Sequence, residues 1–227
     1  MGPFSFPGTY CDTRGEEPIV WNVESSRRRQ PPPHGPGFEL HTTIRGVPCW
    51  GYDFDSLEPV DPQDPDRDRL SLGPRHGELE GCVLTGELPC LVDTDGTTTP
   101  AVVRFSLDLR QSALSNVAAP RNLTLAIDAG GSEVEVADDW FEDGMLRLDA
   151  LMPMPTRVRC CVTCLYSDYS PGGHGLMGMS CHRDAKEQYL AVRSKLDYWS
   201  VPVTEEVMET YVCPEYQRRI PGTGYRG

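Results

Sequence analysis

"GCVLTGELPCLVDTDGTTTPAVVRFSLDLR", residues 81–110, decides the fold. In its second half Ala101, Val103, Phe105, Leu107 and Leu109 fall on one face. Val102, Arg104, Ser106, Asp108 and Arg110 fall on the other. That period of two marks a strand with one buried face. The first half, "GCVLTGELPCLV", reads as its partner, and "DTDGTTT" between them holds the Asp-Gly pair that reverses a hairpin. Downstream the pattern recurs. "NLTLAID", a turn "AGG" and "SEVEVAD" predict a second hairpin, with Leu123, Leu125, Ile127, Val134 and Val136 facing inward.

Antiparallel strands with one apolar face need a cover. "DDWFEDGMLRLDALMP", residues 138–153, supplies one. It places Phe141, Met145, Leu148 and Met152 on a single helical stripe. Asp138 or Asp139 is positioned to cap this helix, and Pro153 to end it. Working upstream, residues 1–24 contain one short strand candidate, Pro18 to Val23, and residues 38–54 read as one or two strands. Two proline-rich stretches, 25–37 and 58–77, read as flexible loops. The second is acidic, but Asp61, Asp64, Asp66 and Asp68 lack the spacing and glycine of a calcium loop. Further downstream, "TRVRCCVTC" (156–164) reads as β, with Cys160 beside Val158 and Val162 and Cys161 on the opposite face. "DAKEQYLAVRSKLDYW", from Asp184, reads as one helix with Ala185, Tyr189, Val192 and Leu196 as its stripe. Strands followed by helices predict an α+β fold. The expected division is an antiparallel β-rich domain over 1–137 and a helix plus cysteine module over 138–227.

Composition sets the outer limits. The chain has 227 residues, a formal net charge of −13 and only two lysines, Lys186 and Lys195. That balance argues against nucleic acid, which needs clustered cations, and fits a solvated acidic surface or a basic partner drawn in by the field. The preference for arginine over lysine suggests a GC-rich bacterial genome. No window approaches a membrane span, and "MGPFSFPGTY" lacks the charge and apolar run of a signal peptide. The expectation is a cytoplasmic protein with reduced thiols. Nine cysteines is an odd number, which also counts against a complete disulfide scheme.

Four of those cysteines lie within 160–181. Cys161 and Cys164 form a Cys-x2-Cys pair, a spacing that lets one tight turn present two thiolates to a tetrahedral ion. Cys181 and Cys213 would complete four ligands. A shell of four thiolates leaves no open position, so the zinc would be structural. Two alternatives stand beside it: unmetallated buried thiols, and a redox or catalytic Cys-x-x-Cys. The glycines and proline of "LYSDYSPGGHG" stop the helix that a thioredoxin-like motif would begin. Cys160 reads as a buried thiol. Cys11, Cys49, Cys82 and Cys90 read as core or incidental residues.

The loop "YSDYSPGGHG" brings Ser167, Asp168, Tyr169, Ser170 and His174 close to the cysteine pair. Asp168 and Ser170 read first as turn residues, and no nucleophile elbow is present. A weaker, enzymatic alternative uses Asp168, Tyr169 and Arg226. Taken together, "CVTCLYSDYSP", "GLMGMSCHRDAKEQYLAVRSKLDYW", "ETYVCPEY" and the terminal "PGTGYRG" resemble an uncharacterised bacterial family classified only as a domain of unknown function. The resemblance is close over 138–227 and loose over the β-rich half. It implies that Cys161, Cys164, Cys181 and Cys213 are the family's cysteines, while His174 and His182 fall where the family carries other residues. It brings no activity, and implies only the company of immunity and accessory proteins. The expectation is therefore a zinc-stabilised binding protein acting through protein contact. The alternative is an enzyme of a bacterial biosynthetic or defence pathway with its site near the SDYSP loop.

Overall fold

The computed structural model describes residues 3–25, 37–73, 77–109, 122–129, 131–169, 171, 177–223 and 225. The loop 26–36, His174 and Arg226 therefore lie outside the described residues. The chain is β-rich and antiparallel with few helices, an α+β protein. Among the described residues no helix is long and apolar enough to cross a membrane.

The two expected hairpins are present. β6 (Val83–Thr94) pairs with β7 (Thr97–Asp108), and β8 (Asn122–Ala129) with β9 (Ser132–Asp138). Asp95 and Gly96 turn the first, both at positive φ (49° and 80°), as a two-residue turn matched to strand twist requires. The N-terminal end departs from expectation. Two strands form there instead of one: β1 (Phe4–Asp12) and β2 (Gly15–Ser25) make a hairpin. β1 was hidden because Pro7 and Gly8 interrupt its alternation. Gly8 has a structural reason: a Cβ there would stand 2.2 Å from the Thr85 carbonyl oxygen and 2.3 Å from Trp21 Nε1. Its absence lets Trp21 Nε1 donate to Thr85 O at 2.8 Å across β1.

β3 (Phe38–Ile44), β4 (Val47–Gly51) and β5 (Glu58–Pro59) extend the sheet, whose order is β5-β4-β3-β2-β1-β6-β7-β8-β9. The acidic stretch after β5 is held by specific bonds: Leu70 is buried, the Ser71 N–H donates to Tyr10 Oη at 2.9 Å, and Arg45 Nη1 donates to Arg69 O at 2.8 Å. Arg45 also pairs at 2.6 Å with Asp12, whose side chain is 1% exposed.

α1 (Phe141–Leu151) lies over β8 and β9 and buries Phe141, Met145 and Leu148, with Met152 just beyond. Its approach is close, because a Cβ on Gly144 would meet Leu125 at 2.8 Å. Phe141 joins Phe54, Phe105 and Trp21 in one aromatic chain with centroids 4.5 to 6.0 Å apart, separations at which edge and offset contacts add to area burial. The cap differs from the sequence expectation. Trp140 occupies the N-cap position without a side-chain cap bond. Asp138 instead accepts from the Asp139 N–H and from Arg147.

Beyond α1 the elements are short. β10 (Arg157–Arg159) pairs with β6, and the β reading of 156–164 ends there, because Cys161–Thr163 winds into a 3-10 turn. Cys160, Cys161 and Val162 are consequently all buried. β11 (Ser167–Asp168), β12 (Met179–Cys181) and β13 (Glu205–Val207) form a second small sheet. The single helix expected from Asp184 is two: α2 (Lys186–Leu190) and α3 (Lys195–Ser200). Ser194 breaks the run by capping α3 through the Asp197 N–H. The restart rotates the stripe, so Tyr198 is buried and Leu196 is 75% exposed.

Candidate metal centre and the buried polar network beside it

The Cys161–Thr163 turn is shaped locally and then clamped. Thr163 Oγ1 donates to Val158 O at 3.0 Å and receives the Cys160 N–H at 3.3 Å. The Cys164 N–H closes on Cys161 O at 3.0 Å. The C-terminal chain grips both sides of it. Cys161 N–H donates to Tyr211 O at 2.7 Å, Val162 N–H to Glu209 O at 3.1 Å, Leu165 N–H to Gln217 O at 2.7 Å, and Arg219 N–H to Thr163 O at 2.8 Å. Cys213 lies in the bend between those two gripping stretches. Cys181 arrives on β12, opposite Ser167 of β11.

Cys181 and Cys213, distant in sequence from the Cys161–Cys164 pair, are thus brought toward it. Burial raises the Cys161 thiol well above its ordinary range, and Cys164, Cys160, Cys181 and Cys213 raise it further through their charges. Burial likewise raises Cys181, helped by Cys213 and Cys164 and opposed by Arg183. Arg183 Nη1 stands 3.8 Å from Cys181 Sγ and 2.8 Å from Glu205 Oε2. Cys160 is fully buried, its thiol pushed up by burial, and it packs into the main hydrophobic cluster. The remaining cysteines are dispersed through the sheet. Burial pushes Cys49, Cys82 and Cys90 to about 12, which makes them poor nucleophiles and ligands. All nine cysteines are free thiols. Among the described residues no group of three or more His, Cys, Asp or Glu side chains is arranged to hold a metal ion.

A polar network lies beside the cysteines. Asp168 is fully buried and accepts from Tyr189 Oη at 2.8 Å and from the Tyr169 N–H at 2.9 Å. His182, also fully buried, stacks on Tyr189 with centroids 4.9 Å apart. Its Nδ1 lies 2.9 Å from Pro202 O and its Nε2 3.1 Å from Tyr198 Oη. A carbonyl can only accept, so Nδ1 carries the proton and Nε2 accepts from the tyrosine. Burial lowers the pKa of His182, which favours the neutral ring. Tyr169 donates to Glu209 Oε1 at 2.6 Å, and the Gly178 N–H reaches the same oxygen at 2.8 Å. Burial raises Glu209 to about 7, with the Glu142 charge of α1 adding to the rise.

The two described members of the enzymatic alternative, Asp168 and Tyr169, are therefore buried within a structural network, and Arg226 lies outside the described residues. The sequence reading missed Tyr189, Tyr198 and Glu209 as polar participants. Tyr189 sits on a helical stripe that reads as core, Tyr198 lies off that stripe, and Glu209 is a single carboxylate inside "VMETY" with no motif around it.

A family model described as a family of unknown function (DUF6304) matches residues 4–167, and the chain belongs to that family. The matched span takes in the large sheet, α1, Cys161 and Cys164, and ends before Cys181 and Cys213. No curated protein and no solved structure matches the chain.

Proposed function

We propose that this family member is a zinc-stabilised binding protein that works by protein contact in the bacterial cytoplasm. The carrying observation is that backbone bonds from residues 161–165 to Tyr211 and Gln217 hold the Cys213 bend beside the turn, with Cys181 near enough for its charge to raise the Cys161 thiol. In kind and number the donors suit a soft, four-coordinate ion. The ligand set would consist of Cys161 and Cys164 from the 3-10 turn, Cys181 from β12 and Cys213 from the C-terminal bend, drawn inward onto the ion. Burial that raises the Cys161 and Cys181 thiols becomes tolerable once a divalent cation takes the negative charge. Arg183 beside Cys181 would offset the remaining charge of a four-thiolate shell.

The metal's contribution is structural: it ties the turn, the small sheet and the C-terminal chain into one unit. Contact with a partner is favoured over turnover because Asp168 and Tyr169 are committed to holding that unit together. A paired substitution tests the reading. Cys164→Ser should destabilise the protein by several times more than Cys11→Ser, because binding energy of a structural metal is folding energy. A strong chelator should lower the wild-type melting temperature and leave the Cys164→Ser variant unchanged. Equal effects of the two substitutions, with no response to chelator, would refute it.

A further inference from the structure

We propose that the free edge of β9 is a docking site for a partner's extended, basic segment, which adds to the large sheet as a further strand. The inference refines the protein-contact reading above, but it rests on a different part of the molecule and its test does not involve the cysteines.

Among the described residues β9 ends the strand order of the large sheet. Its hairpin partner β8 is joined through a two-residue turn, with Ala129 opposite Ser132. In such a hairpin the closing pair exchanges hydrogen bonds, and the pattern alternates from there. Ser132, Val134, Val136 and Asp138 therefore bond to β8. The N–H and C=O groups of Glu133, Glu135 and Ala137 point away from the sheet; the Ala137 carbonyl accepts from Arg147 Nη1 at 2.8 Å, which leaves Glu133, Glu135 and the Ala137 N–H for an added strand. Those three residues are also the exposed ones. An edge of this length with open backbone groups is a template for strand addition.

Charge identifies the occupant. On the outer face, Arg104 of β7 binds Asp128 of β8 at 3.1 Å and Glu133 at 2.9 Å. Glu135 is an exposed carboxylate two residues along the same strand, and Asp139 and Asp143 lie exposed just beyond it. The chain as a whole carries −13. An added strand would place every second side chain on this outer face, beside Glu133 and Glu135, where arginine or lysine gains from cross-strand pairing. A second copy of this chain does not fit: antiparallel self-pairing centred on Glu135 would set that carboxylate against its own copy, and like charges directly opposite are destabilising. Charged residues on an edge also serve simply to block pairing, and this is the outcome the experiment must separate.

The probe is a short capped peptide of alternating arginine and valine, with an alternating glutamate and valine peptide as control. Amide exchange and chemical shifts are read residue by residue. The arginine peptide should slow exchange at Glu133, Glu135 and Ala137 by at least about tenfold, and binding should weaken with salt. Glu135→Pro removes one outward N–H at an edge position that tolerates proline, and should abolish protection with the melting temperature retained. Glu135→Lys, which keeps the backbone, should weaken the arginine peptide by about fivefold, the upper range for a lost cross-strand charge pair. Absence of protection, equal binding of the glutamate peptide, unaltered binding by both variants, or dimerisation through this edge would each overturn the proposal.

Discussion

Glu209→Gln should remove most of one pH-dependent component of stability. In the native protein Glu209 is 1% exposed, and burial raises its carboxyl from 4.5 to about 7. At about 1.4 kcal/mol per pH unit, that displacement corresponds to roughly 3 kcal/mol. The direction follows from proton binding. Between pH 4.5 and about 7 the folded protein holds this proton and the unfolded chain does not, so stability falls as pH rises through that window. Below 4.5 the stabilising effect is fully present, and above about 7 it is lost. Glutamine is neutral at every pH and preserves the local bonds, because Tyr169 Oη and the Gly178 N–H both donate to the single oxygen Oε1. The variant should match wild type near pH 4.5 and exceed it by roughly 3 kcal/mol at pH 8 in urea unfolding. Glu206, also raised to about 7 by burial, contributes equally to both proteins and cancels in the difference. Parallel stability curves for the two proteins from pH 4.5 to 8 would refute the reasoning.

Other expectations concern packing. Gly8→Ala should cost about 1–3 kcal/mol, because the new methyl meets the Thr85 backbone oxygen at 2.2 Å and breaks the bond from Trp21; urea titration measures it. Tyr189→Phe should cost about 1–3 kcal/mol by leaving the buried Asp168 carboxylate short of a donor. Leu196→Ser should change stability by no more than about 0.5 kcal/mol, since that side chain is 75% exposed. A large loss there would restore the single-helix reading of 184–199.

The parts of the fold legible in sequence were those where one physical rule acts alone. Period-two alternation located β6 to β9 because each strand buries one face, and the Asp-Gly pair located their first turn. The stripe of Phe141, Met145, Leu148 and Met152 located α1. Failures came where tertiary contact overrides a local rule. Gly8 weakens β1 as a sequence signal but permits Trp21 to reach Thr85. Ser194 looks like an interior helix residue until its capping bond to Asp197 splits the run and turns Leu196 outward. The cysteine spacing pointed to the turn at 161–164. The clamp on that turn depends on backbone groups of Tyr211, Gln217 and Arg219, and backbone groups leave no trace in side-chain pattern. His182, Tyr189 and Asp168 are likewise joined only after folding.

The central claim is that Cys161, Cys164, Cys181 and Cys213 share one zinc ion. Native mass spectrometry of the full chain, purified without added metal, tests it directly. The account predicts one zinc per folded chain, absent from Cys161→Ser and Cys213→Ser and retained in Cys11→Ser. A folded wild-type chain that carries no metal, with all nine thiols free to react once it is unfolded, would contradict it.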